Sequence, residues 1–424
     1  MHGGQLAVAA VMERFGLKRR VKRCAALDPR KDKHKGYDPE VYISGIVHAL
    51  TNGGCTVTEV ERLNEDEALK AFLGVKRFPD ESSVGEWLRN AGEDGAEAIR
   101  RIGREFVEWA LTQAEGSRYR HRGQVECFFD DTQIEVSGHR FEGAQINYEG
   151  NLALSWQTLW VGPFLVDGVL GETGDVSSEL EGLLSANGHL WKASEGYLYA
   201  DSGSSSGRYL KAIQKRFDQW SVSYNKWKEP LERQAEGFPA GYWSAAVERR
   251  GRKGETLHEQ YAWLRHQPEG MTEAVQYAVA RYRSEGEFLW RYSFIATSAR
   301  SEGPQAVFER HRLKGDFERR FSELLSDLDL HHPPCASLAA NRVYYALATL
   351  AYNILQALKL IWMPPDEQSL RVRTLIHRLL LIPVEIKRHA RHVMACFYLP
   401  EHAVSWWRQF MALILPRCQL AWSG

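Results

Sequence analysis

Apolar residues recur every three or four positions from the start of the chain to about residue 115. Leu6, Val11 and Phe15 follow this spacing, and a second set between Val41 and Leu50 repeats it. Positions three and four apart share one face of a helix, so the pattern predicts an N-terminal helical region over residues 1–120.

In the central part of the chain the spacing changes to one typical of β-strands. Segments 125–136, 145–160 and 163–171 are rich in β-branched and aromatic residues and contain glycines, which predicts three antiparallel strands. A helix, a fourth strand and a second helix are expected next, at 176–186, 196–201 and 208–217. This order of elements predicts an α/β core over 121–217.

The residue composition changes again between residues 218 and 302. Tryptophans are spread there among many Arg, Lys and Gly residues, and 241–249 and 287–297 have strand-like spacing. We therefore expect a β-rich insertion over 218–302. Helical spacing resumes near residue 303, and the core is expected to continue over 303–330.

The remaining segment, residues 331–424, has the pattern of an all-α region. A long helix is expected from Leu338 to the pair Pro364-Pro365, because proline cannot continue a helix. This helix approaches the length that spans a membrane, but polar residues interrupt it, so we expect a buried helix and no membrane contact. Shorter helices are expected at about 368–381, 383–397 and 402–415.

Composition and charge narrow the class of protein. The chain has 424 residues, of which 44% are hydrophobic and 25% charged, and its 54 basic residues balance 54 acidic ones. These values are ordinary for a soluble protein of two or three domains. The six cysteines are scattered without zinc-ligand spacing, and the start lacks a signal-peptide pattern, so we expect a cytoplasmic protein with reduced thiols.

Basic residues are concentrated near both ends of the chain. Lys18, Arg19 and Arg20 begin a segment that runs to Lys35 and is rich in Lys and Arg. Such a segment is a candidate for binding phosphates, although a solvated basic loop has the same composition.

Two carboxylates follow strand-like segments. Asp130 comes after the apolar run 125–129, and Asp201 comes after 197–200. An ionised carboxylate at the end of a buried strand is costly unless it is paired or binds a cation. Because hard divalent cations prefer carboxylate oxygen, the two strand ends predict one metal site.

The order of these parts resembles that of bacterial insertion-sequence transposases of the DDE type. The matching segments include the Gly3-Gly4 start, Ser82–Leu88, Asp130-Asp131-Thr132, Tyr199–Gly203, the strand-bearing insertion, Lys314–Glu318, Ala339–Arg342 and Ala351–Asn353, so that the resemblance covers nearly the whole chain. It implies a ribonuclease H-like mixed-sheet core with a β-rich insertion, flanked by N- and C-terminal helical regions.

The resemblance also implies the catalytic residues. Asp130, Asp201 and Glu318 would be the catalytic acids and the ligands of two Mg²⁺ ions, for which Mn²⁺ substitutes. Asp131 is an alternative first acid, and only one of the two neighbours can point into the site because side chains alternate along a strand. Glu323 is an alternative to Glu318.

The motif around the third acid departs from the family at several positions. The family has Tyr, Arg, Glu and Lys at this spacing, whereas this sequence has His311, Lys314, Glu318 and Leu325. The family residues contact DNA near the cut. The DNA contacts implied here are therefore His311, Lys314 and Arg319, together with the basic residues 18–20.

The implied activity is transposition. It would comprise hydrolysis at the terminal inverted repeats of a mobile element and joining of the freed 3′-hydroxyl to target DNA, by a homodimer assembled on DNA at the nucleoid. A catalytically altered, transposase-derived DNA-binding protein is one alternative, and a general nuclease is another. Related transposases hold a flipped base with an aromatic residue of the insertion, for which Trp227, Trp243, Trp263 and Trp290 are candidates, although tryptophan is more often buried in a core.

Overall fold

The N-terminal part of the protein is helical, as the apolar spacing predicts. The computed structural model describes residues 2–114, 119–138, 140–225, 228–251, 254–299, 301–389 and 392–414. Gly92, which has a φ of 54°, interrupts the longest N-terminal helix with a kink. The helices are α1 (Gln5–Phe15), α2 (Leu17–Lys22), α3 (Pro39–Thr51), α4 (Thr58–Arg62), α5 (Glu67–Leu73) and α6 (Glu81–Gln113).

An α/β core follows this helical region. Its strands are β1 (Arg120–His121), β2 (Gln124–Glu135), β3 (Gln145–Ile146), β4 (Leu152–Val161), β5 (Phe164–Glu172), β6 (Gly196–Ala200) and β7 (Gln219–Ser223), and its helices are α7 (Leu180–Asn187) and α8 (Gly207–Gln214). Strands β2, β4 and β5 pair antiparallel, whereas β6 pairs parallel with both β2 and β7. This mixed sheet confirms the expected ribonuclease H-like α/β core.

The sheet continues from the core into the segment expected to be an insertion. That segment contains α9 (Glu229–Glu236), β8 (Val247–Arg250), β9 (Thr256–His266), β10 (Val275–Ser284) and β11 (Arg291–Thr297). Strand β11 pairs with β7, and within the described residues the sheet has eleven strands. Strands β9 and β10 were not among the expected elements, because their apolar residues are mixed with charged ones and give a weak pattern.

Helices resume after the sheet. They are α10 (Pro304–His311), α11 (Lys314–Ser322), α12 (Leu338–Ala357), α13 (Val372–Leu375) and α14 (Glu401–Ile414), and π-helical turns extend three of them over Glu323–Asp327, Leu358–Trp362 and Ile376–Leu380. Across the described ranges, none of the helices has the length and apolar character needed to cross a membrane.

The helix expected over 383–397 is wrong. This segment forms an antiparallel hairpin of β12 (Val384–His389) and β13 (His392–Phe397). Apolar Val384 and Ile386 alternate with Glu385 and Lys387, and this period of two is typical of a strand. The C-terminal region is therefore helical except for this hairpin.

Helix α12 is bound to the core by residues of two segments already noted in the sequence, Ala339–Arg342 and Ala351–Asn353. The Asn353 side chain accepts a hydrogen bond from Leu165 N at 3.0 Å and donates one to Leu165 O at 2.7 Å. About three turns nearer the start of α12, Arg342 Nε donates to Leu170 O at 2.6 Å. These side-chain hydrogen bonds to the backbone of β5 hold the long helix in a fixed position against the sheet.

The N-terminal helical region is docked on both the core and the C-terminal segment. Arg100 and Arg104 of α6 lie 2.7 and 2.9 Å from the buried Asp167 carboxylate on β5. Near the start of α1, a Cβ at Gly4 would lie 2.0 Å from the carbonyl oxygen of Leu379. Glycine at this position therefore allows a backbone approach that a side chain would block.

Candidate active site

The parallel pairing of β2 and β6 brings two acidic residues to one edge of the sheet. The last pairs in register are Phe128 with Tyr199 and Phe129 with Ala200. Asp130 and Asp201 are the next residues along the two chains. Asp201 therefore lies at the carboxyl end of β6, and Asp130 lies beside it where the parallel pairing of β2 with β6 stops, a place where α/β proteins commonly bind their ligands. Contrary to the strand end expected there, β2 itself does not end at Asp130 but continues to Glu135, because it still pairs with β4.

Helix α11 covers this edge of the sheet by aromatic packing. Phe317 stacks on Phe128 with ring centroids 4.6 Å apart and packs edge-on against Trp160 at 4.9 Å. Lys314 lies three residues before Phe317, on the same side of the helix. The packing of Phe317 thus determines where Lys314 meets the sheet.

Lys314 joins the two aspartates. Its Nζ lies 3.0 Å from Oδ2 of Asp130 and 2.8 Å from Oδ2 of Asp201. Lys314 is only 7% exposed, whereas the side chain of Asp201 is 58% exposed. The structure therefore places Asp130, Asp201 and Lys314 in one cluster that opens to solvent on the Asp201 side.

The environment of the cluster favours the charged form of Lys314 but disfavours the charged form of Asp130. Burial raises the pKa of Asp130 to about 6, since the attraction of Lys314 only partly offsets it and Asp201 adds repulsion. Burial lowers the pKa of Lys314, but the two aspartates together raise it by more than burial lowers it, so the pKa lies above its ordinary value. Lys314 consequently stays charged. The unfavourable charge in the cluster is that of ionised Asp130.

Asp131 has a separate set of partners. Its carboxylate accepts hydrogen bonds from Ser155 Oγ and from Gln133 Nε2, the latter at 2.7 Å. Burial raises the pKa of Asp131, and these two hydrogen bonds lower it. Asp130, rather than its neighbour, shares a cation with Asp201.

Glu318 lies one turn after Lys314 on α11 and is exposed. Within the part of the chain that the structure describes, no three Asp, Glu, His or Cys side chains are close enough together to hold a metal ion. The structure therefore brings together two of the three expected acids, with Glu318 on the adjoining turn.

The alternative third acid, Glu323, is enclosed in the core. Its carboxylate accepts hydrogen bonds from Tyr352 Oη at 3.4 Å and from Gln356 Nε2 at 3.3 Å. Both partners belong to α12. These contacts give Glu323 a role in packing α12 against the end of α11.

His311 is buried beside the aspartate cluster. Its Nδ1 and Nε2 lie 2.8 Å from the hydroxyls of Ser221 and Ser223 on β7. Burial, with a smaller contribution from Lys314, lowers its pKa to about 4. At neutral pH the imidazole is uncharged, and both of its nitrogens are already used.

The other expected DNA contacts differ in exposure and pairing. Arg319 is exposed and donates from Nη2 to Ser369 O at 3.1 Å. Lys18 pairs with Glu40 at 2.6 Å and Arg20 with Glu105 at 2.7 Å, whereas Arg19 is exposed. Their binding to DNA stays a prediction.

The tryptophans expected to hold a base are largely engaged within the protein. Trp243 is buried, and the Arg281 guanidinium lies 4.2 Å from its ring and 4.5 Å from that of Trp290. Trp263 is half-buried, and Trp227 lies outside the described residues.

The sequence did not single out two exposed apolar residues of the insertion. Phe288 and Leu289, which lie between β10 and β11, are 92% and 84% exposed. The strand expected over 287–297 includes both residues, but β11 begins only at Arg291, so residues 287–290 belong to the connection between the two strands. The glycine at position 286 was the available signal of a turn.

A cleft of about 740 Å³ opens in front of the aspartates. Among the described residues its lining contains five acidic side chains and neither Lys nor Arg; the acids are Asp130, Asp131, Glu135, Glu149 and Asp201. Carboxylate oxygens are the donors that Mg²⁺ and Mn²⁺ prefer, and Asp130 with Asp201 already share one cationic group. The donor set thus fits a divalent cation in its chemistry.

Comparison with known proteins identifies a family for this chain. The family model for transposase DDE domain group 1 matches residues 1–419. No curated protein matches the chain.

Proposed function

Because the chain belongs to the transposase DDE domain group 1 family, we propose that it cuts and joins DNA at the ends of an insertion sequence, using Asp130, Asp201 and Glu318 as its catalytic acids. The observation that supports this most strongly is the meeting of Asp130 and Asp201 around the single ammonium of Lys314. Acids at distant sequence positions converge there on one cation.

The acidic cleft supports a role for metal ions. A DNA phosphate entering a cleft lined by carboxylates is repelled unless cations neutralise them. Asp130 and Asp201 would hold Mg²⁺, or Mn²⁺ in its place, with Glu318 from the next turn of α11. A bound pair of such ions supplies Lewis-acid charge at the phosphate and favours deprotonation of the attacking water or 3′-hydroxyl.

The protein's own contribution is placement. Packing of Phe317 on Phe128 holds α11 against β2, and Glu318 is the next residue along that helix. The raised pKa of Asp130 means that its ionised form is poorly satisfied in the free protein and gains from an additional cation. Two element ends must be held for joining, so we also propose that a homodimer assembles on the terminal inverted repeats.

A DNA-binding protein that has lost catalysis is the second candidate. His311 and Leu325, which replace the family's Tyr and Lys, are both buried in the structure. Neither side chain is available to DNA in this conformation. This observation favours altered handling of the DNA ends, whereas retention of Asp130, Asp201 and Glu318 favours an enzyme.

Strand cleavage of a duplex that carries the inverted repeats flanking the coding region tests the proposal. We expect the wild-type protein to nick this DNA in Mg²⁺ and to stop when EDTA is added. Asp201→Ala should not nick it. Asp218→Ala should still do so, because Asp218 is exposed and lies outside the cluster. Specific binding without cleavage by the wild-type protein would favour the DNA-binding candidate. Equal cleavage of unrelated DNA would favour a general nuclease.

A further inference from the structure

Lys314 occupies the position between the two aspartates that a metal ion would need. Its ammonium lies within 3.0 Å of one Oδ2 of each residue. Mg²⁺ binds carboxylate oxygen at about 2.0–2.1 Å, so an ion that takes both oxygens cannot share the space with the ammonium. Binding of metal there requires Lys314 to leave.

We propose that Lys314 is a built-in placeholder cation, which holds Asp130 and Asp201 together in the metal-free protein and is displaced when a divalent cation binds. The inference rests on the proposed function, because it assigns Lys314 a role toward the same metal site. It differs from the expected role of Lys314 as a contact to DNA.

Burial explains why a placeholder is useful. Asp130 lies within β2 directly after Phe128 and Phe129, both of which are buried, and its own side chain is only 12% exposed. Two neighbouring carboxylates without a counter-ion would repel each other, and one of them would be left uncompensated in the interior. With Lys314 between them, the cluster has one net negative charge instead of two, and the two strand ends keep their positions before metal arrives.

The same contact limits affinity for metal. An incoming ion must separate two ion pairs, of which the one to Asp130 is largely buried and poorly screened. It also meets a cluster that is partly neutralised already. Removing the charge of Lys314 should therefore raise the affinity for metal and lower the folding stability of the protein without metal.

No other described lysine or arginine makes an ion pair with Asp130 or Asp201. His311 uses both ring nitrogens for serine hydroxyls and is uncharged at neutral pH. A neutral substitution of Lys314 therefore removes the one ion-pair partner that Asp130 and Asp201 have among the described residues.

Equilibrium binding of Mn²⁺, followed by electron paramagnetic resonance of the free ion at neutral pH, tests the proposal without any activity assay. We expect Lys314→Met to bind Mn²⁺ more tightly than the wild-type chain, on the order of tenfold or more. We also expect its melting temperature to be lower without metal and to rise more with Mn²⁺ than that of the wild-type chain. If Lys314→Met does not fold, Lys314→Gln replaces it, because the uncharged amide NH2 group keeps hydrogen-bond donors toward the carboxylates.

Lys359→Met is the matched control. Lys359 is also buried, with its Nζ 4.0 Å from Glu323 and 2.9 Å from Leu370 O, but it lies outside the cluster. It should lose stability without any gain in Mn²⁺ affinity. A gain of the same size in this variant would overturn the proposal, because the effect would then be a general result of removing a positive charge.

The failure of this inference can be told apart from failure of the proposed function. If Lys314→Met and Lys314→Gln bind Mn²⁺ no more tightly than the wild-type chain, while Asp201→Ala still loses binding, the placeholder role of Lys314 is overturned and the metal site remains. Absence of Mn²⁺ binding in the wild-type chain and in every variant, together with no cleavage, overturns both.

Discussion

The ring of Phe317 lies parallel to that of Phe128, with centroids 4.6 Å apart and planes inclined by 6°. This contact joins α11 to the strand that carries Asp130. It therefore sets the distance between the acid on the sheet and the residues that α11 presents on the neighbouring turns. Packing at this position should affect catalysis as well as stability.

We predict that Phe317→Leu lowers the rate of cleavage while the protein stays folded. Replacing this buried ring by the smaller Leu leaves a cavity and costs on the order of 1–3 kcal/mol of unfolding free energy, whereas a displacement of about 1 Å in the site can cost about a hundredfold in rate. Urea unfolding and repeat-end cleavage of the same preparation measure the two effects.

Phe308→Leu is the matched control for this prediction. Phe308 is buried on α10 and packs against Tyr261, in a separate cluster on the insertion side of the sheet. It should show a similar loss of stability with cleavage nearly unchanged. If the two variants lose cleavage equally, positioning of α11 by Phe317 is not the reason.

Protonation of His311 should destabilise the protein in acid. Its pKa is about 6.5 when unfolded and about 4 when folded, so the unfolded chain binds the additional proton first. The stability that this histidine contributes is complete above pH 6.5 and is lost as the pH falls toward 4, by on the order of 3 kcal/mol.

Urea unfolding at pH 7.5 and pH 4.5 tests this prediction. His311→Gln should show a smaller loss of unfolding free energy between the two pH values than the wild-type chain. His34→Gln, at an exposed position, should show the wild-type loss. An unchanged loss in His311→Gln would mean that His311 does not remain neutral in the fold.

Phe288 and Leu289 should contribute to DNA binding rather than to stability. Both side chains are exposed, and exposed apolar side chains can stack on bases or wedge between them, with each stacked base contributing about 1–3 kcal/mol. We expect the double variant Phe288→Ala, Leu289→Ala to bind repeat ends about tenfold more weakly, measured by fluorescence anisotropy, with an unchanged melting temperature. Phe72→Ala, on α5, should bind as the wild-type chain does; equal affinity of all three proteins would exclude a contact at the turn.

Much of the core could be predicted from sequence because its strands are strongly apolar. Strand β6 is a continuous buried run, so its end, and Asp201 directly after it, could be predicted. The apolar run 125–129 likewise indicated Asp130, although β2 continues past this residue to Glu135. The register that aligns Asp130 with Asp201 could not be read from spacing, because it arises from pairing between distant segments.

Other features depend on tertiary contacts and were missed. Strands β9 and β10 are half-exposed and carry charged residues, so their period is weak. The ion pairs of Lys314 arise only when α11 packs on β2, and sequence comparison instead indicated a lysine that faces DNA. The hairpin at 384–397 was missed because its apolar residues were assigned to a helical period.

The central claim is that Asp201 is a metal ligand in a DNA-cleaving site, and replacement of its oxygen donor by sulfur tests this most directly. A thiolate binds Mn²⁺ better than it binds Mg²⁺, which strongly prefers oxygen. We predict that Asp201→Cys cleaves repeat ends in Mn²⁺ but not in Mg²⁺, while Asp201→Ala cleaves in neither. Cleavage by Asp201→Ala at the wild-type rate in Mg²⁺ would contradict the account.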